Sequence, residues 1–261
     1  MQKVALVTGG SAGIGWATST RLQRAGWQVV SASRSSKAPS GCEGLAIDVA
    51  DDSSVREGVA HVLNSYGRLD AVVTCAGWGV AGAVEHTPLG DAKDQFEANF
   101  WGTVRVVQAA LPAMRSQGAG HLVMLSSIAG CIGVPFQAFY SASKFAIEGF
   151  GEALAYEVRP FGVKVTIVEP GNVRTEFTER RRVLAAGAYP AQARAVAKME
   201  RDERDGVSPE RVAGTLYKVL SARRPPRRVS VGKASERVGL LAKRLLPYAM
   251  FEPAARGSLG V

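Results

Sequence analysis

"KVALVTGGSAGIG", residues 3–15, runs from an apolar segment into a glycine-rich turn and then into residues of helical spacing. Val4, Ala5, Leu6 and Val7 follow one another without a polar break, the pattern of a strand buried on both faces. Gly9, Gly13 and Gly15 permit a tight turn, close approach of backbone N–H groups to a pyrophosphate, and close packing of helix on strand. Thr8, Ser11 and Ile14 complete the turn. A strand, a turn of this kind and a helix together predict a βα unit that binds a dinucleotide.

Outward from that unit the alternation continues. "WQVVSAS" (27–33), "GLAIDV" (44–49), "LDAVVTCAG" (69–77), "HLVMLSS" (121–127), "GVKVTIVEPG" (162–171) and "RVSVG" (228–232) read as strands. Helical spacing falls between them, over 13–25, 54–67, roughly 90–117, 138–159 and 208–222. The expectation is a single α/β domain over 1–261, doubly wound, with a mostly parallel sheet of about seven strands and helices on both faces. Residues 176–207 are polar and Ala/Arg-rich, and are expected to form an excursion over the carboxyl edge of the sheet, where ligands bind in such folds. Residues 233–261 form a C-terminal extension.

Composition narrows the function classes. A hydrophobic share of 46% with 21% charged residues is that of a soluble globular chain, and no apolar run approaches the ~18 residues of a membrane span. The net charge of +9 is concentrated at Arg180–Arg182 and in "RRPPRR" (223–228). Neither run is interleaved with stacking aromatics, so they read as solvated surface or anionic-ligand attraction and not as a nucleic-acid site. Cys42, Cys75 and Cys131 lack paired spacing, and His61, His86 and His121 lack ligand spacing; neither a disulfide framework nor a metal is expected. With a strand pattern beginning at Lys3, no targeting segment is expected, and a reducing cytoplasm is the default.

"FYSASKFAIEGF" (139–150) places Tyr140 and Lys144 four apart on one helix face. A phenol titrates near ~10, and an adjacent ammonium is expected to lower that value, so that Tyr140 can exchange a proton with a carbonyl or alcohol oxygen. Ser127 lies thirteen residues earlier, at a strand end facing the same cavity, with Ser126 as its rival. After the second strand, where a ribose-binding carboxylate would select NAD, the chain has Ser33 and Arg34. A missing carboxylate beside a guanidinium favours NADP(H), unless Arg34 is simply a surface residue.

The T-G-x-x-x-G-x-G turn and the Y-x-x-x-K pair resemble the short-chain dehydrogenase/reductase family over about residues 1–175, and "SIAGCIGVPFQAFYSASKFAIEG" (127–149) resembles its 17β-hydroxysteroid and retinol dehydrogenase branch. The resemblance implies a Rossmann fold and a hydride-transferring oxidoreductase. It implies that Ser127 binds the substrate oxygen, that Lys144 also holds the nicotinamide ribose, and that Asn99 supports a water relay to the lysine. Asp48 and Val49 would contact adenine, Asp48 being otherwise a helix cap and Asn99 a helix kink. Pro170, Gly171, Val173 and Thr175 match the segment that meets the nicotinamide carboxamide. Where the family has N-N-A-G, this chain has Thr74-Cys75-Ala76-Gly77: the small floor under the cofactor is kept, Thr74 is expected to replace one lost amide hydrogen bond, and Cys75 reads as a packed residue without a base to activate it. Trp78, Val134 and Phe136 suggest a pocket for a bulky hydrophobic ketone, steroid-like, polyketide or aromatic. The reading is therefore an NADP(H)-dependent ketoreductase acting on a small-molecule carbonyl or alcohol; an NADP-binding sensor, an enoyl reductase or an epimerase are the alternatives. The family's habit of pairing suggests a homodimer or homotetramer. "VGLLAKRLLPYAMF" (238–251) is expected to bury against the pocket or a sister subunit in preference to a membrane surface.

Overall fold

A computed structural model describes residues 2–261. Strands β1 (Val4–Thr8), β2 (Gln28–Ser33), β3 (Glu43–Ala46), β4 (Ala71–Thr74), β6 (Gly120–Leu125), β7 (Val163–Pro170) and β9 (Arg228–Val231) form one sheet in the order β3-β2-β1-β4-β6-β7-β9. Every ladder in it is parallel. Two two-residue strands, β5 (Val80–Ala81) and β8 (Arg182–Val183), pair beside it.

Alternation along β1 explains why its sequence is apolar throughout. Val4 and Leu6 enter a core with Val30, Val72, Leu122 and Ile147, while Ala5 and Val7 enter the opposite core with Leu22, Val29, Val73 and Leu216. The first core lies under helices α2 (Asp52–Tyr66), α4 (Gly102–Gln117) and α5 (Ala138–Glu157); the second lies under α1 (Gly13–Arg24) and α8 (Pro209–Ser221). Strand order reverses between β1 and β4, opening a crevice at their carboxyl ends.

Two features depart from the expected pattern. The third strand stops at Ala46, short of Asp48 and Val49, because Asp48 is held in a turn. Its N–H donates to Ser54 Oγ at 3.0 Å, and its carboxylate accepts from the Ala50 N–H at 3.0 Å. Asp51, not Asp48, caps α2, accepting from the Ser54 N–H at 2.8 Å. The helical stretch near 90–117 comprises α3 (Leu89–Phe96), one π-helical turn (Glu97–Trp101) and α4. Beyond β7, the excursion folds into α6 (Phe177–Arg180), β8 and α7 (Ala191–Arg204), and the extension into α9 (Ala234–Leu245) and α10 (Tyr248–Leu259). Among the described residues, no helix is long and apolar enough to cross a membrane.

Candidate active site

A cavity of about 1130 Å³ follows the carboxyl ends of the central strands. At one end it is walled by the glycine turn, Ser33 and Arg34; at the other by Ser127, Tyr140, Lys144 and the 176–207 segment. Gly9 and Gly13 have φ of +66° and +51°, and a Cβ on Gly9 would meet the Ala76 backbone at 2.7 Å. A Cβ on Gly13 would meet Thr175 at 3.2 Å. The turn therefore needs glycine both for its conformation and for the approach of β4 and the 170–175 loop. Helix α1 begins after Ala12 with no side-chain cap and no acidic residue in its first turn. Its N–H groups are left to face the cavity, an arrangement suited to phosphate. A dinucleotide thus fits the residues present, with the phosphate-binding turn and the tyrosine at opposite ends of one continuous space.

Ser11, Ile14, Gly15, Asp48, Val49, Cys75, Ala76, Gly77, Trp78, Val134, Pro170, Gly171, Val173 and Thr175 all line this space. Thr8 does not: it is buried, and its hydroxyl accepts from the Ala76 N–H at 3.4 Å, tying the ends of β1 and β4. Phe136 does not either. At φ +60° its carbonyl accepts from Gly82 N at 2.8 Å and its ring packs edge-on to Tyr189, which turns it off the wall that its neighbours Val134 and Pro135 form. The substitute hydrogen bond expected of Thr74 is also absent. Its hydroxyl is buried without a hydrogen-bond partner. Burial pushes the Cys75 thiol up to about 12, with the Lys144 charge opposing it, so the thiolate is scarce at neutral pH.

Strand β6 and helix α5 converge on the reacting end. Ser127 Oγ accepts from the Ala129 N–H at 3.1 Å and donates to the Pro170 carbonyl at 3.4 Å. Ser126, the rival, is turned toward α5, its hydroxyl donating to the Lys144 carbonyl at 3.4 Å. Lys144 Nζ lies 5.8 Å from the centre of the Tyr140 ring and donates to the Leu125 carbonyl at 2.9 Å. Burial lowers the Lys144 ammonium to about 8 and pushes the Tyr140 phenol up to about 12. The expected lowering of the phenol by the lysine is not found: loss of water dominates, and Lys144 is not among the groups that move it. A hydrogen bond from Ser127 and the charge of Arg181 act downward, while Glu203 acts upward.

Asn99 sits in the π-turn and is fully buried. Its Oδ1 accepts from the Trp78 N–H at 3.0 Å, and its Nδ2 donates to the Trp78 carbonyl at 3.0 Å and to Ser143 Oγ at 3.2 Å. A Cβ on Gly77 would meet Asn99 Oδ1 at 2.8 Å, which accounts for the glycine there. The side chain that the resemblance assigns to a relay is therefore spent on fixing the Gly77–Trp78 segment beside Lys144.

Several residues were not singled out from the sequence. Phe177 lies 5.6 Å, ring to ring, from Tyr140. Behind it Arg181 pairs with Glu203, and Thr178 donates to Glu203 at 2.6 Å. Arg181 is buried, whereas Arg180 and Arg182 are exposed, Arg182 pairing with Asp91, so the expected solvated surface holds for two of the three; only Arg180 of the run lines the cavity. Ala195, Lys198, Met199, Asp202 and Glu203 line it from α7, and their i, i+3, i+4, i+7, i+8 spacing was the available signal. Cys131, Glu148 and Glu169 hold possible ligand atoms within 4.8 Å of one another behind Lys144, but Arg228 occupies the cluster, its Nε 2.9 Å from Glu148.

Residues 3–183 match the family model described as short chain dehydrogenase. The chain is 36% identical over 260 residues to 3-ketodihydrosphingosine reductase of Bacteroides thetaiotaomicron, covering 97% of each. It is 34% identical over 250 residues to retinol dehydrogenase 8 of Bos taurus, covering 87% of this chain and 80% of the relative. The crystal structure of a short-chain dehydrogenase from Streptomyces avermitilis superposes with a TM-score of 0.84 at 33% identity, covering 99% of both chains.

Proposed function

The chain belongs to the short-chain dehydrogenase family, and on that premise we propose that it is an NADP(H)-dependent oxidoreductase that reduces a bulky hydrophobic ketone, with Tyr140 as the acid. The observation that carries this reading is the meeting of Ser127, Tyr140 and Lys144 at one end of a cavity whose other end is a glycine-rich, uncapped helix start. Gly9, Ser11, Gly13, Ile14 and Gly15 would hold the pyrophosphate, Asp48 and Val49 the adenine side, and Pro170, Gly171, Val173 and Thr175 the nicotinamide. When bound, a reduced nicotinamide supplies hydride to the carbonyl carbon. Ser127 donates a hydrogen bond to the carbonyl oxygen as charge grows there, and Tyr140 passes its proton to the same oxygen. The Lys144 ammonium favours the resulting phenolate. Asn99 keeps the Gly77–Trp78 wall in register with the lysine, and residues 1–261 act as one unit.

Cofactor choice rests on charge. Ser33 stands where a carboxylate would repel a 2′-phosphate, and Arg34 is exposed on the cavity wall next to it. Lys37, packed 5.5 Å over the Trp16 ring, borders a hollow shared with Ser11, Ala12 and Gly13, adding a second cation near the turn. Trp78, Val134, Phe177, Met199 and Leu259 give the substrate end its apolar surface. The names of two relatives, a reductase of a keto compound and a dehydrogenase of retinol, agree with an apolar carbonyl or alcohol. Exposed Trp101, Phe145 and Tyr156 on the π-turn and α5 suit pairing into a homodimer or homotetramer.

The test is NADPH oxidation against 3-ketodihydrosphingosine, retinal, a steroid ketone and an aromatic diketone, repeated with NADH. Turnover of at least one with NADPH preferred supports the proposal, and Ser33→Asp should then shift preference toward NADH by tenfold or more, about one lost or gained charge contact. No turnover of any of the four, or an unchanged cofactor ratio in the variant, contradicts the corresponding part.

A further inference from the structure

Helices α9 and α10 form a hairpin fastened to the cavity rim at both ends. At its start, Asn172 donates to Glu236 from its backbone N at 2.8 Å and from its side-chain amide at 2.7 Å, and Asn172 lines the cavity. At its far end, Ser258 and Leu259 line the cavity, and Arg194 donates to the Gly260 carbonyl at 3.1 Å. Between these anchors Val238, Leu241 and Leu245 follow i, i+3, i+7 along one face of α9, yet they are 64%, 55% and 68% exposed. Leu246, Tyr248 and Met250 extend the exposed apolar surface across the turn. Phe251 alone is buried in the hairpin. Residues 238–251 therefore leave most of their apolar side chains uncovered instead of burying them against the pocket, which only the end of α10 reaches.

Charge distinguishes the candidate occupants of that face. At 100° per residue, Arg237 and Arg244 lie within roughly 60° of Leu241 on the side away from Val238 and Leu245, so two exposed guanidiniums line one edge of the stripe. The acidic residue of α9, Glu236, is spent on Asn172, and residues 233–261 hold five basic side chains against two acidic ones. A second copy pairing antiparallel through this face about a two-fold axis would bring the same cationic edge against itself. An anionic headgroup layer meets both features, accepting the apolar stripe below and the arginines at its edge.

We propose that the α9–α10 hairpin docks the protein on an anionic lipid bilayer, with the cavity rim held at the membrane surface. Val238, Leu241, Leu245 and Met250 enter the headgroup boundary, and Arg237 and Arg244 contact lipid phosphates. The proposal stands apart from the choice of substrate and cofactor.

The experiment uses the full chain, pelleted with vesicles of phosphatidylcholine alone or with about one-third phosphatidylserine. Binding should require phosphatidylserine, weaken with added salt, and fall about tenfold or more in Leu241→Glu/Leu245→Glu and in Arg237→Glu/Arg244→Glu. Circular dichroism melting checks that each variant is folded; should the leucine variant not fold, the arginine variant alone supplies the test. Failure of the wild-type chain to pellet with the anionic vesicles, or equal pelleting of folded variants, overturns the proposal. So does light scattering that finds an oligomer dissolved by the leucine variant with no vesicle binding, because the face would then belong to a second copy.

Discussion

Lys144 is buried and Tyr140 half-buried, and water loss moves their protonation equilibria in opposite directions. A phenol raised to about 12 stays protonated throughout the working range, as the proposed role of proton donor requires. A lysine lowered to about 8 is charged below that pH and neutral above it. On the proposed mechanism reduction draws on the ammonium to favour the phenolate, so kcat/KM should fall as pH rises through about 8, with Lys144 as the titrating group. In Lys144→Met the rate should be lower at pH 7 and the limb near 8 absent; a pH–rate profile that keeps the limb would reject this assignment. The Y-x-x-x-K spacing was legible because two residues four apart on a helix must share a face. The direction of the phenol's shift was not, because it depends on how completely β6, Phe177 and the Arg181–Glu203 pair exclude water. Cys75 illustrates the same divide. Its packing role could be read from a missing base, whereas the lack of a partner for the Thr74 hydroxyl is decided by tertiary packing.

Elements fix these side chains with differing firmness. Helix α5 carries Tyr140 and Lys144 on one rigid face, and the π-turn before α4 delivers Asn99 to the Trp78 backbone. A helical periodicity over 90–117 reveals the helix but not the extra residue, since a single wide turn barely disturbs the pattern. The α6–α7 segment is held by a buried pair, Arg181 with Glu203, reinforced by Thr178. Removing one partner leaves a buried charge unpaired, a cost of about 3–5 kcal/mol. Glu203→Ala should therefore accelerate amide hydrogen exchange across 177–204 and raise KM for the ketone, while NADPH affinity, set at the far end of the cavity, changes little. Unchanged exchange in that segment would show that the pair is not what closes it. The composition of 176–207 disclosed an excursion, but the identity of its anchoring pair is a tertiary fact: Arg181 and Glu203 are far apart in sequence, and each reads alone as a surface charge.

Across the whole molecule, a parallel sheet of seven strands was legible from unbroken apolar strands separated by helical spacing, because both faces of such a sheet are covered, whereas the order of the strands was not. Strand limits were less so: β3 stops at Ala46 because Asp48 finds side-chain and backbone partners in a turn. The C-terminal hairpin kept its amphipathic pattern, yet periodicity cannot say whether the apolar face is covered. The reversal of strand order between β1 and β4 joins the glycine-rich turn made by one half of the sheet to the Ser127–Tyr140–Lys144 group carried by the other, the two ends of the proposed site. The two ends should therefore be separable. The most direct measurement is Tyr140→Phe, with NADPH binding followed by fluorescence titration and turnover by NADPH oxidation with an accepted ketone. The account predicts near-native NADPH affinity with turnover lowered about 1,000-fold or more, within the range for loss of a positioned proton donor and its contact to the developing charge. A variant that binds NADPH normally and still reduces the ketone at a rate close to that of the unaltered chain would contradict it.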